Sequence, residues 1–169
     1  MIAISQIADR RRNSEDESGF TLIELMVVVL IIAILIAIAI PTFLGARSRA
    51  QDRAAQSSLR NSLTAAKTIY TDAEDYTQAT AAALQAVEPS LTFGTTASTG
   101  QTNVFVNTPN DHEIYLSTYS KSGDCFWTYD NTQGPGTKFT KVHGACSTTL
   151  PATPATWPCL LYTSDAADE

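Results

Sequence analysis

The chain has 169 residues, a formal net charge of −6 and a charged fraction of 17%, against about a quarter in ordinary globular proteins. That length holds one modest domain plus an extra helix. The negative charge lies mostly in Met1–Gly19 and in the last eleven residues, so the nearly neutral middle offers no basic face for nucleic acid, and no nucleic-acid partner is expected.

Residues 1–19 read as a short charged leader. Arg10-Arg11-Arg12 precede a long apolar run and are expected to stay on the cytoplasmic side of a membrane. An ordinary secretory signal fits poorly. No small-residue cleavage site follows the apolar core, and that core continues into a helical pattern without a break. A plain signal anchor accounts for the arginines and the apolar run, but not for Glu24.

Residues 20–44 are apolar enough, and long enough at about 1.5 Å per residue, to span a bilayer as a helix. Glu24 is the anomaly within it. A carboxylate there costs roughly 2.5–3.5 kcal/mol on insertion scales and marks a functional site whose partner must be named. If the chain is cut after Gly19, Phe20 acquires a positive N-terminus. Glu24 of one subunit then has a partner in the Phe20 amine of a neighbour, which makes it a register lock more than a source of stability. The bland reading is a hydrated carboxylate at the interface. Pro41 removes a backbone donor inside the helical pattern, and Gly45 adds freedom four residues later, so a kink or a locally melted helix is expected there.

The run Gly19-Phe20-Thr21-Leu22-Ile23-Glu24-Leu25, the apolar helix after it, and Pro41 as its twenty-second residue resemble the prepilin signature. This is the N-terminus shared by type IV pilins and the pseudopilins of type II secretion systems. The resemblance covers Arg10–Tyr70. It implies cleavage between Gly19 and Phe20 by a membrane prepilin peptidase, N-methylation of Phe20, a role for Glu24 in assembly, and a filament packed through residues 20–44. The partners it implies are the peptidase/methyltransferase, identical and related subunits, the assembly platform and the inner membrane. The precursor is expected there as a single-pass protein, and the assembled form in a cell-surface pilus.

Residues 45–70 continue the helix in amphipathic form. Leu59, Leu63, Ala66 and Tyr70 step by 4, 3 and 4, giving one apolar stripe expected to lie on a sheet. Arg47, Arg49 and Arg53 suit anionic lipid headgroups, acidic groups on neighbouring subunits, or plain solvent. A single helix over Phe20–Tyr70 is longer than a domain of this size needs, and the excess is expected to protrude as filament core.

Residues 71–158 read as a globular head. Asp72-Ala73-Glu74-Asp75-Tyr76 ends the helix; its carboxylates suit calcium, but the features of an EF-hand loop are missing and a solvated loop is favoured. A short helix is predicted over Thr80–Val87, before Pro89. Strand signals follow at Leu91–Phe93, Val104–Asn107, Ile114–Tyr119, Cys125–Tyr129 and Lys138–His143, with a turn over Asp130–Gly136. Three or four antiparallel strands in a meander over the helix stripe make the fold class α+β and pilin-like. If the head is exported, Cys125 and Cys146 are a natural disulfide pair; no cysteine sits in a zinc-ligand spacing.

Asn110-Asp111-His112-Glu113 is the most tempting acid/base cluster, yet no nucleophile motif, phosphate loop or metal spacing accompanies it. No catalytic residue, metal or cofactor is therefore expected. Residues 159–169, including Cys159, look like the in-frame translation of a sequencing-library adapter, with a disordered acidic tail as the alternative. They are set aside from the fold.

The expected function is a type IV prepilin, a structural subunit polymerised into a pilus. The first competitor is a pseudopilin of a type II secretion system. The second is a membrane-anchored binding module, which predicts that loss of the Glu24 carboxylate is harmless.

Overall fold

The computed structural model describes residues 19–151. The expectations for the leader before Gly19 and for residues 159–169 fall outside these residues. By its internal contacts the chain separates into a unit ending at Leu44 and a unit beginning at Gly45.

The elements in order are α1 (Leu22–Ala73), a 3-10 turn at Tyr76–Gln78, α2 (Ala81–Val87), and strands β1 (Thr92–Gly94), β2 (Asn103–Asn110), β3 (Glu113–Tyr119), β4 (Asp124–Asn131) and β5 (Lys138–His143). The first helix therefore starts two residues later than expected and ends three residues later. Thr21 is spent on capping its start. Its end is set by Glu74, which adopts a left-handed φ of 54° and donates its N–H to the Tyr70 carbonyl at 2.6 Å. The Thr80 hydroxyl caps α2 by accepting from the Ala83 N–H at 3.2 Å.

In the unit from Gly45 onward, α1 packs on a five-stranded sheet of order β1-β2-β3-β4-β5. The contact comes from Ala55, Leu59, Leu63 and Ala66, which meet Val104, Val106, Ile114, Leu116 and Phe126, with Leu84 of α2 closing the cluster. The predicted stripe is thus the packed one, although Tyr70 is only half-buried at its margin.

Three strand expectations need correction. First, the sheet is not wholly antiparallel, because β1 pairs parallel to β2 with Phe93 opposite Val104. A hub at Ser98 holds the returning loop: its hydroxyl bonds the Asn103 carbonyl at 2.5 Å and accepts the Tyr119 N–H at 2.9 Å. Second, β2 runs on past Asn107 to Asn110, through a register shift that accommodates Pro109. Third, Asp130 and Asn131 belong to β4 and not to the turn, and Asp130 is 3% exposed.

The sheet is also covered on both faces. Away from α1, Phe105, Tyr115, Cys125, Trp127 and Tyr129 form a second buried cluster, with Cys146 and Leu150 packed against it. Phe105 meets Trp127 edge-on at 5.7 Å, and Tyr115 lies 4.7 Å from Tyr129. The Cys125–Cys146 disulfide, with Cα atoms 5.1 Å apart, fastens the segment after β5 over this face.

Candidate functional site

The start of α1 is built on Thr21 and Glu24. Thr21 is the capping residue and Glu24 stands three residues inside. The Thr21 N–H and hydroxyl both donate to Glu24 Oε2, at 2.9 and 2.7 Å, and the Glu24 N–H donates back to Thr21 Oγ1 at 3.3 Å. This is a reciprocal capping box, which satisfies two of the donors a helix start leaves unpaired. The first helical bond, Leu25 N–H to the Thr21 carbonyl at 3.2 Å, follows directly. The signal was present in the sequence: Thr-x-x-Glu before an apolar run is the capping-box pattern.

One consequence concerns the acid's valence. Both bonds that the Glu24 side chain accepts fall on Oε2, and among the described residues no donor reaches Oε1. Phe20 is 82% exposed, and a shallow groove lined by Phe20, Ile23, Glu24, Val27 and Val28 runs beside the carboxylate. Gly19 directly precedes this group. From Leu22 to Leu44 the large apolar side chains are exposed, Ile32 least at 47% and Leu22 most at 76%. Among the described residues α1 is the one helix long and apolar enough to cross a membrane.

At Pro41 the local melting considered from the sequence does not occur. Helix α1 continues unbroken through Pro41 and Gly45. Proline removes one ladder donor, and beside it the Thr42 hydroxyl donates to the Ile38 carbonyl at 3.1 Å.

The head has its own polar centre, which pattern reading missed. Buried Asp130 accepts the Tyr76 hydroxyl at 2.6 Å and the Lys67 ammonium at 3.0 Å, and the Thr137 hydroxyl also donates to it. Lys67 donates to Thr137 at 2.9 Å. A polar pocket of about 410 Å³ opens beside them, lined also by Tyr70 and Thr132. The Asp130 carboxylate is fully engaged, so this centre ties α1 to the β4–β5 loop. Burial first, then the Asp130 hydrogen bond and charge, push the Tyr76 phenol far above its ordinary range.

Asn110, Asp111, His112 and Glu113 turn out to serve the β2–β3 hairpin. The Asn110 amide and the Tyr129 hydroxyl both bond Glu113, at 2.9 and 2.7 Å. His112 lies 3.2 Å from Asp111. Burial foremost raises the Tyr129 phenol to about 12; the Asn131 bond opposes the rise, and the bond to Glu113 adds to it. Among the described residues no group of three or more His, Cys, Asp or Glu is placed to hold a metal ion.

Residues 16–40 match the family description "Prokaryotic N-terminal methylation motif", the signature of type IV pilins and pseudopilins. The matched stretch includes Gly19, Phe20 and Glu24. It supports a pilin-like or pseudopilin precursor, implies processing by a prepilin peptidase and assembly into a pilus or pseudopilus, and, with the apolar helix, fits a membrane-anchored precursor. The motif is that of structural subunits and not of an enzyme family. No curated protein and no solved structure matches the chain.

Proposed function

We propose that the chain is a type IV prepilin, cut after Gly19, methylated on the Phe20 amine and polymerised into a pilus filament whose core is residues 20–44. The observation that carries this is the pairing of a methylation motif with a capped apolar helix whose large side chains are exposed. A chain that kept this surface bare in water would aggregate. The bilayer covers it before assembly, and neighbouring copies cover it afterwards.

Glu24 has a defined task in this scheme. Its Oε2 is held by Thr21, and its Oε1 is left for the Phe20 amine of the next subunit. The capping bonds lower the cost of carrying the acid in an apolar surround, and the intersubunit ion pair offsets the rest only in the polymer. The expected outcome for Glu24→Ala is normal membrane insertion with no filament, scored by membrane fractionation beside electron microscopy of sheared material. Wild-type yields of filament from Glu24→Ala cells would leave the helix as a mere anchor and overturn the proposal.

A further inference from the structure

From Gly45 onward, α1 and the turn after it carry two charge bands of opposite sign. The first is basic. Arg47, Arg49 and Arg53 are exposed, and none of them makes an ion pair among the described residues. Asp52 does not answer them with its Oδ1, which takes the hydroxyls of Ser120, at 2.6 Å, and Ser122 on the β3–β4 turn. The second band is acidic. Asp72 and Glu74 are exposed and likewise make no ion pair. Asp75 accepts from Thr77 and Gln78, and Asp111 is brought alongside by the Tyr76 N–H, which donates to its carbonyl at 2.7 Å.

Arg53 and Asp72 stand 19 positions apart and Arg47 and Glu74 stand 27 apart, roughly 28–40 Å at 1.5 Å per residue. They cannot neutralise each other within one chain. We propose that they meet between copies: the arginine band of one subunit lies against the acidic band of the next, displaced by roughly 28–40 Å along the direction of α1. This rests on the filament function proposed above and names a contact through which the heads take their register. Two different patches joined head to tail repeat without closing, which is the geometry of a helical polymer. The same charges disfavour side-by-side copies at equal height, where like bands would face each other. Anionic lipid headgroups are the other partner suited to the arginines, but they leave the acidic band unanswered.

The test uses the full chain in its native host. Arg49→Glu with Arg53→Glu, and separately Asp72→Lys with Glu74→Lys, are each expected to lower filament recovered by shearing at least about tenfold at unchanged membrane levels. Combining all four substitutions restores it, because the bands then meet with signs exchanged. An oxidised Arg53→Cys/Glu74→Cys chain is expected to give a ladder of crosslinked copies that neither single variant gives. Full assembly of both charge-reversed chains, or a combined variant as poor as either alone with no ladder, overturns the contact. So does a defect confined to the arginine variant that tracks its loss of binding to phosphatidylglycerol vesicles, which assigns the band to lipid. Absence of polymer from the unsubstituted chain overturns the filament function itself, and this contact with it.

Discussion

At the scale of single residues, the two informative acids are both defined by what donates to them. Glu24 is visible in the sequence because a carboxylate in an apolar run has no bland explanation. Asp130 is not, because it stands beside turn-forming residues and its partners, Lys67 and Tyr76, are more than fifty positions away. Asp130→Ala removes three bonds and leaves the Tyr76 hydroxyl buried without an acceptor. The expected loss is about 3 kcal/mol in urea unfolding of the detergent-solubilised protein; a loss under about 0.5 kcal/mol would show that solvent satisfies the centre. The tyrosines also predict the alkaline limit. Their folded-state values lie above the ordinary phenol value near 10. Their contribution is therefore complete below about pH 10 and lost as pH rises through the folded values, beginning with Tyr129 at about 12. Asp124 runs the other way. Burial raises it, but the hydrogen bonds and charges of His143 and Lys141 outweigh that and hold it below the usual carboxylate range. Its contribution is present above about pH 4 and disappears as pH falls below that. Thermal unfolding followed from pH 2 to 12 reads both limbs.

At the scale of elements, period and punctuation were enough for most of the head. The stripe Leu59-Leu63-Ala66 found the packed face of α1, and β5 has the predicted bounds. What escaped was whatever depends on partners distant in sequence. The direction of β1 is set by the Ser98 hub, which no local propensity encodes. The burial of both sheet faces was hidden because alternating residues in β3, such as Leu116 and Tyr115, meet different covers: α1 on one side and the Cys146–Leu150 segment on the other. That second cover depends on the disulfide. Breaking it with Cys146→Ser frees a loop of about 22 residues and is expected to cost roughly 3 kcal/mol. It should also raise the exposure of Trp127, readable as quenching by acrylamide. Unchanged stability and quenching would mean that packing alone holds the segment. The end of α1 offers a gain: Glu74→Gly relieves a left-handed non-glycine residue and is expected to stabilise the protein by about 0.5–1 kcal/mol in the same unfolding experiment.

For the whole molecule, the labour is divided between two units. Residues 19–44 present an apolar, capped helix with one acid at its start, and residues 45–151 form a disulfide-tied α+β head. In the proposed filament the first is a surface that exchanges lipid for neighbouring copies, and the second is the part that meets solvent and sets register. Processing after Gly19 links them in that filament, since a free amine on Phe20 would give Glu24 its partner. The most direct measurement is mass spectrometry of the N-terminal peptide from protein in sheared surface material and in membranes of the native host. The expected peptide begins at Phe20, carries one added methyl group and is recovered from the sheared fraction. The same processed peptide confined to membranes would contradict the surface pilus and favour the pseudopilin, and a chain that still carries Arg10–Gly19 would contradict the prepilin assignment altogether.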